Sequence, residues 1–316
     1  MAEAVAILNP KAGGGRVRRR WPAFEAAIRE RMPQLQVRWT ERPWHAAELT
    51  RDALLAGADL VLAVGGDGTV HEVVNGFLDN DVPVRAGARL GYVPMGTGGD
   101  FQRTLQVPRE PAAVAAYLAE GSTVAMDVGK VRFLGDAHEG VEQRYFANLL
   151  SFGMGGDVAV AAKNNTLTKI NGQAAFLWAT LRVFFSYPGK TVHLEFDGEP
   201  PLPPLDITNV AAGNGQYHGG GMLPCPGASL VDGLLDVTVI ERLSWFELIR
   251  DIRVLYSGAV YDHPRVQHQQ VARLIARSVD QTRVEVDGEP AGNLPIEVEV
   301  LPRIIPLVRP TGSPLR

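Results

Sequence analysis

The sequence predicts two domains of different class: an α/β domain built on a parallel sheet, followed by a mostly antiparallel β-sandwich or flattened barrel. Three observations predict it. Over residues 1–127, apolar strands, glycine turns and amphipathic helices follow one another repeatedly, the pattern of a parallel sheet covered on both faces. Over residues 128–302, short segments alternate apolar and polar residues with period two. The length of 316 residues suits two domains at roughly 150 residues each. Residues 303–316 are expected to return to the first domain.

The elements of the first domain follow in order. Ala4–Leu8 is a short apolar strand, followed by the turn Asn9-Pro10-Lys11-Ala12-Gly13-Gly14-Gly15. Trp21, Phe24, Ile28 and Met32 recur at three- and four-residue spacing and mark a helix. Gln36–Thr40 reads as a strand and Ala46–Ala56 as a helix. Leu60–Val64 is a second buried strand. It leads into Gly65-Gly66-Asp67-Gly68 and a helix over Val70–Leu78. A strand at Leu90–Pro94, a third glycine loop and a helix over Ala112–Ala119 complete the domain.

The second domain takes strands at Asp127–Phe133, Tyr145–Leu149, Thr191–Phe196, Ile207–Ala211, Leu235–Ile240, Arg283–Val286 and Ile296–Leu301. Helices are expected near Leu167–Tyr187 and over Trp245–Ser257. Asp-Gly pairs at 197–198, 232–233 and 287–288 signal hairpins.

Composition narrows the class. With 46% hydrophobic and 21% charged residues and a formal charge of −4, the chain has no general attraction to nucleic acid. Its one cysteine, Cys225, allows neither an internal disulfide nor a zinc cluster. No secretory leader and no apolar run near the ~20 residues of a membrane span can be read, so a cytoplasmic protein is expected.

Three glycine loops follow strands, and in open parallel sheets ligands bind beyond the strands' C-terminal ends. Glycine lets backbone approach a ligand closely, and the helix after Gly65-Gly66-Asp67-Gly68-Thr69 offers unpaired N–H groups to phosphate. Asp67 beside a phosphate implies an intervening magnesium ion or ordered water; the alternative is a turn whose Asp caps the helix. The first loop adds Lys11 and Arg16, and the third, Pro94-Met95-Gly96-Thr97-Gly98-Gly99-Asp100-Phe101, adds a hydroxyl and a carboxylate. The P-loop, G-x-G-x-x-G, G-x-S-x-G and H-E-x-x-H patterns are absent.

In the second domain, Asp232 and nearby carbonyls are either a hard-cation site or a simple hairpin turn. The acidic turns Asp287-Gly288-Glu289 and Asp197-Gly198-Glu199 each offer a candidate general base, and the residues alone do not choose between them.

Taken together, NPKAGGG (9–15), GGDGTVHEVVNG (65–76), PMGTGGDF (94–101), MDVGKV (126–131), GNGQYHGGGMLPCPGASLVDGLLDV (213–237) and VEVDGEP (284–290) resemble the diacylglycerol kinase catalytic-domain family. This is the group of bacterial lipid kinases, sphingosine kinases and ceramide kinases. The resemblance spans nearly the whole chain. It implies a phosphofructokinase- and NAD-kinase-like first domain, with ATP in the cleft between the two domains. It assigns nucleotide contacts to Asn9, Pro10, Lys11, Ala12, Gly13, Thr40, Gly65, Gly66, Asp67, Gly68, Thr69, Val70, His71 and Thr97. Asp67, Asp100 and Asp127 match acidic residues that organise magnesium through water. Glu289, with Asp287 beside it, matches the turn assigned the base role. Ser229, Asp232 and Leu234 match a second, structural magnesium site. Gly98-Gly99 stand where the family's common form has Ala-Asn.

The expected activity is ATP-dependent phosphorylation of a lipid hydroxyl, diacylglycerol or a related lipid. The acceptor implies peripheral attachment to a membrane, with the stripe Phe176, Leu177, Leu181, Phe184 and Phe185 as a candidate docking face or as ordinary core. A homodimer is compatible with the sequence. The rivals are a soluble-substrate kinase of the NAD-kinase type and a non-catalytic nucleotide-binding regulator.

Overall fold

The computed structural model describes residues 3–134, 142–163, 183, 187–313 and 315. The chain divides into two compact units, Met1–Val128 with Leu301–Arg316, and Gly129–Val300.

The first unit begins with β1 (Ala4–Leu8), a 3-10 turn at Ala12–Gly15 and α1 (Val17–Arg31). It continues through β2 (Gln36–Trp39), α2 (His45–Leu55), β3 (Leu60–Gly65) and α3 (Asp67–Phe77). A small hairpin of β4 (Leu78–Asp79) and β5 (Val82–Pro83) precedes β6 (Arg89–Pro94), α4 (Asp100–Leu105) and α5 (Pro111–Glu120). Strands β2, β1, β3 and β6 lie side by side and all run parallel. Every residue of β1 and β3 is buried, as a sheet covered on both faces requires. On α1 the buried residues Val17, Trp21, Phe24 and Ile28 form the apolar stripe read from the sequence.

The free edge of β6 is closed in two ways. Leu90 pairs in parallel with Leu307 of the chain's last strand. Two residues on, Tyr117 of α5 substitutes for a strand: its hydroxyl accepts from Tyr92 N (3.0 Å) and donates to Tyr92 O. One buried side chain thus satisfies both backbone groups of an edge residue that would otherwise be unpaired. The six-residue helix α4 was not anticipated; it begins inside the third glycine loop, at Asp100 and Phe101, and ends at Leu105.

The second unit takes the end of β7 (Ser122–Phe133), then β8 (Gln143–Phe146), β9 (Leu149–Gly153) and α6 (Met154–Lys163). Next come β10 (Lys190–Phe196), β11 (Leu205–Gly213), β12 (Leu235–Glu241), α7 (Trp245–Asp251) and α8 (Val254–Ser257). The unit closes with β13 (Val266–Val271), β14 (Arg273–Ser278), β15 (Arg283–Val286), β16 (Glu289–Asn293) and β17 (Ile296–Arg309). Strands β16, β15, β9, β11, β10, β14 and the start of β17 are neighbours in that order, and β12 and β13 continue from β11. All these pairings are antiparallel. Phe146, Leu150, Phe152, Leu194, Val210 and Val237 are among its buried core residues.

Three expectations are corrected. The helix expected over Trp245–Ser257 is two helices broken after Asp251. The first of them opens on a capping box between Ser244 and Glu247, a strong start signal. Strand β13 went unread because Gln267 to Gln270 are polar and exposed, so no apolar alternation marks it. The strand expected at Ile296–Leu301 runs on to Arg309; Pro302 and the left-handed Arg303 (φ 55°) bend it without ending it. The expected helix near Leu167–Tyr187 and the stripe Phe176, Leu177, Leu181, Phe184 and Phe185 lie outside the described residues. Among the described residues, no helix is long and apolar enough to cross a membrane.

Tyr117→Phe would strand the N–H and C=O of Tyr92 in the core, at about 1–3 kcal/mol per unsatisfied group. Urea unfolding should therefore show a loss of about 2 kcal/mol or more, whereas a loss under 0.5 kcal/mol would mean that the edge closes without the hydroxyl.

Candidate active site

Three loops at the C-terminal ends of β1, β3 and β6 meet through their backbones. Gly13, at φ +60°, sits so close to the third loop that a Cβ there would lie 2.4 Å from Met95 O. A Cβ on Gly96 would lie 2.3 Å from Gly66 Cα, so the second and third loops touch where neither has a side chain. Gly65 O accepts from Met95 N (2.8 Å) and Gly96 N (2.9 Å), fixing that approach. Thr40 N donates to Leu8 O (2.8 Å), bringing the end of β2 to the same edge. Asn9 Oδ1 accepts from Lys11 N, and Arg16 Nε donates to Gly13 O at 2.6 Å. Asn9, Pro10, Lys11, Ala12, Gly13, Thr40, Gly65, Gly66 and Thr97 thus lie on or beside one loop cluster.

Asp67 is the clasp of this cluster. Its Oδ2 accepts from Gly99 N (3.0 Å) and its Oδ1 from Phe101 N (2.9 Å). The residue thus caps α4, a helix distant in sequence, as well as opening α3. Asp100 lies across Gly98: a Cβ on Gly98 would fall 2.8 Å from Asp67 Oδ2 and 3.9 Å from Asp100 Oδ2. Arg103 pairs with Asp100 at 3.0 Å and donates to Gly98 O at 2.6 Å. Burial and then the Asp100 charge push the Asp67 carboxyl up, against the three loop amides that favour its ionised form.

The expected contacts at the start of α3 are of two kinds. The N–H groups of Thr69 and Val70 already donate to Gly66 O, and their side chains are buried. The Thr69 hydroxyl packs over Gly65, where a Cβ would lie 2.2 Å from it. His71 is buried and meets Trp44 edge-on at 5.4 Å. What these three offer is the helix itself; Asp67 and Gly68 stand half-buried at its first turn. Asp127 is fully buried and accepts from Arg303 N (2.6 Å), anchoring the bend of β17.

In the second unit, Asp287 (φ 49°) holds a bend rather than facing solvent. Its Oδ1 accepts from Asn148 N (3.0 Å) and Leu149 N (2.9 Å), and its Oδ2 from Ala147 N (3.1 Å). Glu289 is exposed at the start of β16. The rival turn differs: Asp197 Oδ1 accepts from Ala272 N and Arg273 N at 2.8 Å, tying β10 to β14. Asp232 Oδ1 accepts from Leu234 N (3.0 Å), and Val231 N approaches Ser229 Oγ at 3.4 Å. That is a side-chain-stabilised turn, which holds Ser229, Asp232 and Leu234 close together. Among the described residues, no group of three or more His, Cys, Asp or Glu side chains is placed to hold a metal. Cys225 is buried and its thiol is pushed up to about 12 by desolvation, so it is inert.

The second unit also holds a cavity of about 1050 Å³, its mouth included. Leu149 and Ser151 of β9 and Asn209 and Ala211 of β11 form its floor. Met154 and Val158 of α6 form one wall; Ile252, Leu255 and Tyr256, at and after the α7–α8 break, form another. His218 and Met222 reach it from a tight loop in which Gly219, Gly220 and Gly221 all have positive φ. His218 and Met222 exchange both backbone hydrogen bonds across that loop at 2.9 Å.

Sequence reasoning missed a buried carboxylate beside this cavity. Glu285, wholly inaccessible, accepts from Ser151 Oγ (2.6 Å) and Gly288 N (2.7 Å) and lies 3.3 Å from His218 Nε2. Burial pushes its pKa up, opposed by His218, Ser151 and the Gly288 amide. The available signal was a charged residue between Val284 and Val286 in a strand buried on both faces.

Comparisons with known proteins agree with this architecture. The diacylglycerol kinase catalytic-domain profile matches residues 3–131, and the profile of the YegS C-terminal NAD kinase beta sandwich-like domain matches 150–309. A Pseudomonas aeruginosa protein named as a YegS-like lipid kinase is 31% identical over 296 residues, covering 93% of this chain and 90% of that one. A Mycobacterium tuberculosis diacylglycerol kinase is 29% identical over 84% of this chain and 81% of its own. A crystal structure of a Bacillus anthracis diacylglycerol kinase shares the fold, with a TM-score of 0.72 at 20% identity over 98% of each chain. The chain belongs to the diacylglycerol kinase catalytic-domain family of lipid kinases.

Proposed function

We propose that the protein transfers the γ-phosphoryl group of ATP to a free hydroxyl of diacylglycerol or a closely related lipid, with magnesium accompanying the nucleotide. The observation that carries the acceptor is the apolar cavity of the second unit. A polar acceptor such as a dinucleotide has no use for walls of Met154, Val158, Ile252 and Leu255. Acyl chains do, at about 0.8 kcal/mol per buried methylene. That argues against a soluble substrate.

The nucleotide reading rests on the loop cluster of the first unit. Backbone amides around Gly13, Gly66 and Gly96 and the start of α3 suit a triphosphate. Arg18, Arg19 and Arg20 crowd the first turn of α1 with no acidic residue among them. This is the wrong sign for a helix N-terminus, and a bound polyanion would give it a reason. Asp67 and Asp100 are hard oxygen donors held close together, and the Asp100 charge, second to burial in pushing the Asp67 carboxyl up, is a repulsion a divalent cation would relieve. Bound there, magnesium would neutralise charge on the β- and γ-phosphates.

Within the chain, Asp287 holds the 147–149 bend, Asp127 holds the bend of β17, and Glu289 is the group placed to take a proton. As the new P–O bond forms, the lipid hydroxyl gives its proton to the Glu289 carboxylate. Peripheral attachment has a candidate face on α7. Trp245 (61% exposed), Phe246 (60%) and Ile249 (48%) project from it. Tyr256 is both exposed and part of the cavity wall, so this apolar surface adjoins the chamber that would receive the lipid.

Purified protein given labelled ATP, magnesium and vesicles containing diacylglycerol should label the lipid; labelling of NAD and not of lipid would overturn the assignment. Glu289→Gln should fold normally and lose about 10²–10⁴ in kcat with little change in the KM for ATP, and wild-type turnover would remove it as the base. Trp245→Ala with Phe246→Ala should lower co-sedimentation with vesicles several-fold while leaving the unfolding midpoint in place; unaltered sedimentation would move the docking face elsewhere.

A further inference from the structure

Glu285 poses a question that the fold alone does not answer. A carboxylate with no solvent access in a β-core is costly, and a hydrophobic residue at that strand position would serve packing better. Its partners show where its influence goes. One oxygen receives Ser151 Oγ–H and lies against His218 Nε2, and both of those residues line the cavity. The other oxygen holds Gly288 N, in the turn that leads directly into Glu289. Glu285 therefore joins the wall of the cavity to the hairpin proposed to carry the base.

The arrangement is not a hydrolytic triad. In such a triad the imidazole lies between hydroxyl and carboxylate; here the carboxylate is the hub. Ser151 donates its hydroxyl hydrogen bond to Glu285, so towards the cavity its oxygen offers only lone pairs. Gly155 keeps that oxygen uncovered: a Cβ at 155 would lie 2.3 Å from Ser151 Oγ and 2.9 Å from Asn209 Oδ1. The cavity runs across the sheet from Ser151 on β9, over β11 and β12, to Val266 on β13. At about 4.8 Å per strand this spans roughly 14 Å. Ile240 and Val266 stand at the far side, so the cavity has an acceptor-bearing end beside β15 and an apolar end away from it.

We infer that in the lipid complex without nucleotide, before any proton passes to Glu289, the Ser151 end of this cavity holds the lipid's free hydroxyl, which donates to Ser151 Oγ, while the acyl chains extend towards β12 and β13. Glu285 is a positioning residue in this arrangement: it fixes the direction of the serine proton. The site selects a lipid alcohol over the same lipid with its hydroxyl capped. The inference rests on the lipid-kinase reading of the cavity, but it concerns binding and needs no phosphoryl transfer.

The test is therefore a binding measurement on the full chain without ATP. A diacylglycerol carrying a fluorescent acyl chain is bound to the protein and displaced by diacylglycerol or by its 3-O-methyl ether, which lacks only the donor. Wild type should prefer the alcohol by about tenfold, the size of one hydrogen bond to a buried acceptor. Ser151→Ala should bring that preference close to one with little change in affinity for the ether. Ser151→Cys, which keeps the volume, should do the same and covers the case in which the alanine variant does not fold. An equal response of the wild type to alcohol and ether, or a preference that survives both substitutions, overturns this inference and leaves the lipid cavity standing. Failure of the fluorescent lipid to bind at all overturns the cavity reading together with it.

Discussion

The first unit depends on backbone meeting backbone at Gly66 and Gly96. Two strand-to-helix turns approach until a Cβ on Gly96 would sit 2.3 Å from Gly66 Cα, and Gly65 O locks them by accepting from two consecutive amides of the third loop. Side chains cannot make a surface this fine. Main-chain N–H groups project less than any side chain and lose no rotamer freedom on binding, which suits the loop cluster to the triphosphate proposed for it. Asp67 completes the lock from the other direction by capping α4. A single carboxylate thus orders the loop that a cation would later share.

That geometry explains the departure at Gly98-Gly99. A side chain at 98 would press on Asp67 Oδ2 at 2.8 Å, so in this chain the absence of a methyl group there leaves room between the two acids. Position 99 has φ +70°, a region open to glycine and, next best, to asparagine. The family's common Asn and this chain's Gly answer the same backbone demand. The sequence-level concern was a lost amide hydrogen bond; in this chain Arg103 ties the loop by pairing with Asp100 and donating to Gly98 O.

Much of the first unit was legible because its signals are local. A strand of uninterrupted apolar residues, a glycine turn and a 3.6-period helix each declare themselves within about ten residues. The second unit declares itself less well. Polar β13 pairs at the outside of β12 with exposed glutamines, so it carries no hydrophobic alternation, and the break between α7 and α8 falls at Ile252 and Arg253, with neither proline nor glycine to announce it. The glycines at 219–221, part of the motif that carries the family resemblance, fold a tight loop that presents His218 and Met222. Glu285 was illegible for a different reason: its partners Ser151 and His218 are separated from it by 134 and 67 positions, and only the sheet brings them together.

The acidic hairpin shows how one short segment supports three distinct electrostatic states. Glu285, Asp287 and Glu289 are spaced by two, which in a straight strand would place all three on one face. The turn at Asp287-Gly288, with both residues at positive φ, breaks that equivalence. Glu285 stays in the core with a hydroxyl, an imidazole and an amide around it. Asp287 is drawn back onto three consecutive amides and is saturated as an acceptor for the bend it holds. Glu289, past the turn, is released to solvent on the returning strand. Proton transfer requires an oxygen that water or substrate can reach, and of the three only Glu289 is exposed. The different surroundings of these three carboxylates are thus set by backbone geometry at two residues, Asp287 and Gly288.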